Sequence, residues 1–356
     1  MIQLYGQFDG YHSIAIVSRA IAQMLRAGRF NACAYPIGAM RPSFDGIQLP
    51  IGLNNEAQIG ICVGAPPVGA GWLSGHDHKI LITVCEASRI PNAWVRACEG
   101  LDLIVVPSEF CKLAFANSGV RAPIMIVPHG VSREVIVGRK DDLDSEFIQL
   151  LHVTGALSYP WRKGTSSLLV AMTRVPENVF LTIKTPSTQN LQQAIKKLGL
   201  KNVFLWEDPF TPRQMKEFIC TFHAVIQPSR AEGFGMVPLE ARCLGTPAIL
   251  TTGTGHDAHF VPGVDVPIEV GPDAPIQTFD NDQGSAPTVS PGAVQAAILA
   301  FLGDVDGWRA KADSWAVQRA GDWSWERVLT PLAKVLRARH DASSVVLGGE
   351  SSLRGI

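Results

Sequence analysis

Short, unbroken apolar runs recur along this chain with helical repeats between them, and that alternation limits the folds open to it more than any other feature. Residues 59–63, 80–84 and 103–106 are short, continuous apolar runs, and residues 2–5 and 124–127 read as further short strands. Such runs suit strands covered on both faces. Between them, Ile14, Val17, Ile21, Met24 and Leu25 fall at helical spacing and predict a helix over 13–27. Residues 90–98 carry a helical pattern, and Ser108 is placed to cap a helix opening at Glu109. After the charged stretch Gly138-Arg139-Lys140-Asp141-Asp142 the alternation resumes. Strands are predicted at 147–153, 179–183, 203–205, 224–226 and 248–250, with helices at 166–173, 191–198 and 212–220. Two βα runs in 356 residues predict an α/β chain with two facing, doubly wound, Rossmann-like domains. The expected units are a first domain over 1–138, a linker over 139–146 and a second domain over 147–322. A C-terminal helix over 323–340 is expected to pack back toward the first domain, ahead of a flexible tail over 341–356.

The stretch Ser229-Arg230-Ala231-Glu232-Gly233-Phe234-Gly235-Met236-Val237-Pro238-Leu239-Glu240 joins two carboxylates with seven residues between them. Pro238 fits the first position of a helix running to about Leu244, which puts Glu240 in its first turn. Gly233 and Gly235 allow the backbone close to a ligand, and the helix start offers free N–H groups to an anion. Gly245-Thr246-Pro247 stops the helix. In a doubly wound sheet such a loop lies beyond the strand C-termini, where ligands bind.

Composition excludes several classes. The chain is 46% hydrophobic and 18% charged with a formal net charge of −1, which argues against a dedicated nucleic-acid binder. Residues 1–140 hold 12 Lys+Arg against 9 Asp+Glu, a mild excess compatible with an anionic acceptor and also with ordinary scatter. The seven cysteines form no CxxC pair and read as free thiols of a reducing, cytoplasmic compartment. No apolar run reaches the ~20 residues of a membrane span, so no integral membrane segment is expected. His76-Asp77-His78 lacks a third metal ligand, and Asp280-Asn281-Asp282 sits in a Gly/Pro-rich surface excursion over 271–292; no metal and no cofactor is expected.

Several segments resemble the family 4 retaining glycosyltransferases of the GT-B fold. Glu232 to Glu240, with Glu240-Ala241-Arg242-Cys243-Leu244-Gly245-Thr246-Pro247 behind it, is similar to that family's E-x7-E signature and trailing segment. Gly155 with Lys163-Gly164 resembles its diphosphate-binding loop. Val106-Pro107-Ser108-Glu109-Phe110, Val127-Pro128-His129-Gly130-Val131 and residues 301–326 resemble further family segments. The resemblance covers about residues 80 to 335 and is weakest over 1–75. It implies a donor cleft between the domains and a nucleoside-diphosphate sugar, UDP- or GDP-linked, as co-substrate. Glu240 would hold the nucleotide ribose and Glu232 the transferred sugar. Gly155 and the backbone of Gly233, Phe234, Gly235, Met236 and Val237 would meet the diphosphate or sugar. Lys163 with Arg162 would neutralise the leaving diphosphate, a charge that develops as the glycosidic bond breaks. The family's usual Arg after the loop glycine is Ala156 here, and Arg162 is the neighbouring substitute. The family's first-domain His is replaced by the region of Glu86, followed by Pro91-Asn92-Ala93-Trp94, which makes Glu86 an acceptor-side group.

Gly10 and His12, in the first glycine loop, are the other acceptor-side candidates. His129 reads as structural. The reading implied is a retaining, metal-independent front-face hexosyl transfer to an acceptor hydroxyl on a glycan, a lipid-linked molecule or a modified DNA base. Transfer to a hydroxymethylated base in DNA, a sugar-nucleotide epimerase and a non-catalytic nucleotide-sugar binder stay open as alternatives. A glycoside hydrolase fits poorly, since its two carboxyls must flank one bond.

Overall fold

The computed structural model describes residues 1–38, 49–132, 143, 146–154, 162–277 and 283–350, with backbone alone at 277, 283 and 341–350. The chain runs β1 (Ile2–Gly6), α1 (Ser13–Ala27), β2 (Ala32–Pro36), β3 (Ile59–Val63), α2 (Pro66–Leu73), β4 (His78–Ile82), α3 (Asn92–Ala97), β5 (Leu103–Val106), α4 (Glu109–Asn117) and β6 (Ile124–Ile126). These strands make a parallel sheet in the order β2-β1-β3-β4-β5-β6. A second set follows: β7 (Ile148–Val153), α5 (Thr165–Met172), β8 (Val179–Lys184), α6 (Gln189–Leu198), β9 (Val203–Trp206), α7 (Pro212–Cys220), β10 (Ala224–Gln227), α8 (Met236–Cys243), β11 (Ala248–Thr251) and β12 (Val266–Ile268). It forms a second parallel sheet in the order β12-β11-β10-β7-β8-β9. Both are doubly wound, as the alternation of apolar runs and helices requires.

The topology places the site. In the second sheet the winding reverses between β7 and β10, and a crevice opens at the strand C-termini of such a switch point. The residues leaving β7 lead to Lys163, and those leaving β10 lead to Glu232. In the first sheet the reversal lies between β1 and β3, which places the loop holding Gly10 and His12 at its own switch point.

Three elements of the two βα units were not expected. β2 and β12 were missed, and α2, Pro-Pro-Val-Gly-Ala-Gly-Trp-Leu, has a poor helical composition. Packing overrides that weakness. A Cβ on Gly69 would lie 2.4 Å from Leu81 Cδ1, so the glycine lets the helix sit directly on β4. The expected strand 80–84 is shifted to β4 at His78–Ile82.

The excursion over 271–292 is a larger correction. It forms an antiparallel hairpin, β13 (Gly271–Gln277) with β14 (Gln283–Thr288), followed by α9 (Pro291–Leu302). Ile276 and Ala286 are buried in one apolar cluster with Cys85, Ala87 and Ile90 of the first domain. Ser88 N–H donates to the Ser285 carbonyl at 2.9 Å, and the two hydroxyls lie 2.7 Å apart. Arg230 Nε donates to the Pro287 carbonyl at 3.0 Å. The hairpin thus bridges the domains beside the candidate site. Its alternation is hidden by Gly, Pro and Ser, which are poor strand formers.

After α10 (Val305–Arg319) the chain passes through α11 (Trp325–Val328) into α12 (Thr330–Glu350). Val131 N–H donates to the Trp323 carbonyl at 2.8 Å, so the chain at Val131 lies beside the chain at Trp323 and Ser324. Leu332 and Leu336 of α12 are buried among Ile2, Leu4, Ile21 and Leu25 of the first domain. The Arg337 guanidinium lies 4.1 Å above the Phe30 ring. The backbone stays helical to Glu350, into the stretch expected as a flexible tail, because extending an existing helix costs far less than nucleating one. Residues 139–142, 144 and 145 of the expected linker lie outside the described residues.

Candidate donor site

The loop after β10 is held by close contacts with protein. The helix behind it opens at Met236, with Gly235 as its cap at φ +85°, two residues earlier than expected. Pro238 is therefore the third helical residue and Glu240 the fifth, in the second turn. Pro remains acceptable there because the first four N–H groups of a helix have no internal acceptor. At the other end Gly245 N–H donates to the Arg242 carbonyl and Thr246 N–H to the Ala241 carbonyl, both at 2.9 Å, which closes a Schellman turn. Contacts within the protein also account for the glycines. A Cβ on Gly233 would lie 2.2 Å from Val84 Cγ2 and 2.8 Å from the Cys85 carbonyl of the first domain. A Cβ on Gly235 would lie 2.3 Å from the His256 ring, in the 3-10 turn Gly255–Ala258. Ser108, the cap of α4, donates to the Gly233 carbonyl at 2.7 Å, so the first domain grips this loop directly.

The turn leading into α5 lies against it. Gly164 has φ +69°, and a Cβ there would fall 1.9 Å from the Pro228 carbonyl oxygen. The Arg162 carbonyl accepts from Arg230 N–H at 2.8 Å and from Ala231 N–H at 3.3 Å. His152 fixes the far side: it lies 2.9 Å from the Ile226 carbonyl through Nδ1 and 2.9 Å from Thr165 Oγ1 through Nε2.

These contacts gather four charges. Lys163 Nζ pairs with the Glu232 carboxylate, and Arg162 pairs with Glu86 at 2.5 Å. Arg162 also donates to the Ala231 carbonyl at 3.2 Å. Burial works against ionising Glu232, but Lys163 and then Arg162 outweigh it and hold the carboxyl at about 2. Glu86 is pushed upward by burial, which Arg162 offsets in part while Glu232 adds to it. Burial lowers the neighbouring imidazoles of His256 and His129 to about 4, so both are neutral near pH 7. His129 rests against Phe234, with ring centroids 5.0 Å apart.

Glu240 stands apart from this cluster. Its half-buried carboxyl has no hydrogen-bond or ion-pair partner among the described residues, and burial raises it to about 7. Gly155 lies outside the described residues, as does Asp280-Asn281-Asp282. His76 is occupied by Tyr5 Oη at 2.9 Å and the Ala57 carbonyl at 2.6 Å. Among the described residues no group of three His, Cys, Asp or Glu is placed to hold a metal ion.

The acceptor-side candidates do not converge. His12 caps α1, accepting from Ala15 N–H at 3.4 Å, and lines a pocket of about 220 Å³ with Gln7, Phe8, Asp9, Pro36, Ile37 and Gly38. The Gly10 carbonyl accepts from Arg19 at 2.7 Å. Glu86 is not among that pocket's lining residues; it sits instead on Arg162. Sequence reasoning passed over His256, His259, Arg242 and Asp265, all buried behind the Glu232 loop. The available signal was position: His256 and His259 follow β11, at the same C-terminal edge as Glu232.

Two facing doubly wound α/β domains are the GT-B fold. Residues 153–266, which include Lys163, Glu232 and Glu240, match the model for glycosyl transferases group 1. Among solved structures, the chain is similar to Anabaena HepE in complex with UDP and glucose, at 15% identity over 95% of this chain and 99% of that one, with a TM-score of 0.74. It is also similar to sucrose-phosphate synthase from Thermosynechococcus elongatus, at 14% identity over 96% and 99% of the two chains and a TM-score of 0.73. A D-inositol 3-phosphate glycosyltransferase of Corynebacterium urealyticum is 27% identical over 148 residues, which span 42% of this chain and 31% of that relative. No helix among the described residues is long and apolar enough to cross a membrane.

Proposed function

We propose that this chain is a retaining glycosyltransferase that moves a sugar from a nucleoside-diphosphate sugar to an acceptor hydroxyl. The observation that carries this reading is the pairing of Lys163 and Arg162 with Glu232 and Glu86 at the switch point, directly before the α8 N-terminus. Four charges gathered in a largely buried place are costly unless they serve a ligand. An incoming diphosphate would share Lys163 and Arg162 with the carboxylates and face the helix dipole. Glu240, half-buried and without a partner among the described residues, suits a ligand that brings its own donors, such as the two hydroxyls of a ribose. A UDP-linked donor is the first choice, because HepE, which shares the fold, is seen with UDP and glucose.

In the front-face step the anomeric C–O bond to the diphosphate breaks and a bond to the acceptor oxygen forms on the same face. The acceptor proton passes to the departing phosphate oxygen. Lys163, Arg162 and the first N–H groups of α8 stabilise that oxygen, a contribution of roughly 3–4 kcal/mol per well-placed donor. Glu86 and the pocket beside His12 are assigned to the acceptor side. The test is turnover of a UDP-sugar panel with the anomer of the product determined. Lys163→Ala and Glu240→Ala should each lower turnover at least tenfold. Unchanged rates in both would remove the site assignment, and an inverted anomer would remove the mechanism.

A further inference from the structure

Behind the donor loop lies a connected set of polar side chains with no part in the step above. Arg242 and Asp265 are both fully buried and form an ion pair. Arg242 Nη2 also lies 3.3 Å from His259 Nδ1, and His259 Nε2 lies 2.9 Å from the Phe234 carbonyl oxygen. Asp265 is itself fixed by the Val261 N–H at 2.8 Å, and the Arg242 guanidinium rests 4.6 Å from the Trp315 ring.

The chemistry of the partners decides the proton positions. A guanidinium can only donate, so Nδ1 of His259 must present its lone pair. A carbonyl can only accept, so Nε2 must carry the hydrogen. Both ends demand the same neutral tautomer. The consequence reaches the site through peptide geometry. The described residues contain no cis peptide bond, so the Phe234 carbonyl and the Gly235 N–H point in opposite directions. With the carbonyl tied to His259, the Gly235 N–H points away from that ring, at the residue that caps α8. Stability alone is a poor reason for this arrangement. Arg242 Nε has no hydrogen-bond partner among the described residues, and a buried ion pair often matches a well-packed apolar pair at best.

We propose that Arg242, Asp265 and His259 form a positioning relay that sets the Phe234–Gly235 peptide, and with it the aim of the donor loop; the assignment of that loop to a nucleotide-sugar rests on the reading above. Asp265 orients the guanidinium, the guanidinium selects the His259 tautomer, and His259 holds the carbonyl. None of the three is a catalytic residue.

The experiment combines nitrogen NMR of the histidine rings, amide hydrogen exchange at Gly235 and calorimetric binding of UDP. Wild-type His259 should carry its proton on Nε2. Arg242→Met with Asp265→Leu, an apolar replacement of similar volume, should give a mixture of tautomers. His259→Phe should speed Gly235 exchange and weaken UDP about tenfold, with Tm held within a few degrees. His259→Gln, which keeps an N–H donor, should recover most of the affinity. A proton on Nδ1 would overturn the relay, as would His259→Phe with unchanged Gly235 exchange and unchanged UDP affinity. If wild-type protein binds neither UDP nor GDP, the donor-site reading falls. The tautomer and the Gly235 exchange then still decide whether the relay sets the peptide.

Discussion

Replacing Glu240 by Gln should make the protein more stable and, on the proposed reading, less able to bind UDP. The carboxyl has no partner among the described residues, and burial raises it from 4.5 to about 7. Between those values the folded state keeps a proton that the unfolded state has lost. Stability therefore falls as pH rises through that window, and the full cost is present above about pH 7. At about 1.36 kcal/mol per pH unit the interval bounds the cost at about 3 kcal/mol. Water at the rim of the half-buried site screens part of it, which leaves about 1–3 kcal/mol. Gln has nearly the same shape and no charge to bury. At pH 8 it should raise Tm by several degrees, at roughly 2–4 °C per kcal/mol. The two proteins should converge near pH 4.5–5, where the wild-type carboxyl is protonated in the folded state. The assay is thermal unfolding from pH 4.5 to 8.5, with and without UDP. Wild type should lose stability toward pH 7.5 and regain it with UDP; the variant should show neither change strongly. A variant that is less stable at pH 8, or a difference independent of pH, would refute the argument.

Glu232 should show the opposite sign. Its carboxyl is held at about 2, so its pairing with Lys163 adds stability above pH 4.5 that is lost as pH falls toward 2. Lys163→Met should shrink that acid limb, which urea unfolding at pH 3 and pH 6 would measure. Gly164→Ala should disturb the Lys163 turn, since the new Cβ needs φ +69° and meets the Pro228 carbonyl at 1.9 Å. A loss of about 1–3 kcal/mol together with weaker UDP binding is expected, and wild-type behaviour in both assays would show that the turn tolerates the shift.

Most of the framework was legible because it rests on local patterns. Helix α1 ends where its apolar spacing ends, and β3 and β5 coincide with their apolar runs. The pairing of Lys163 with Glu232 was not legible, since it joins residues 69 positions apart in sequence. Nor was the role of Gly233 and Gly235, whose missing side chains accommodate Val84, Cys85 and His256. The hairpin over 271–288 escaped because its strands hold Pro, Gly and Ser, and only packing on Cys85, Ala87 and Ile90 makes them worth forming.

By itself the sequence determined the two βα runs, the glycine-bounded loop at Glu232 and the helix behind it, because apolar period and turn chemistry act over a few residues. Tertiary structure alone decided which loops meet. The winding reversal of the second sheet brings the chain after β7 beside the chain after β10. The first domain then supplies Glu86 to Arg162 and Ser108 to Gly233. Arg242 illustrates the division. In sequence it is one cation on a short helix, and only burial against Asp265 and His259 gives it a direction in which to act.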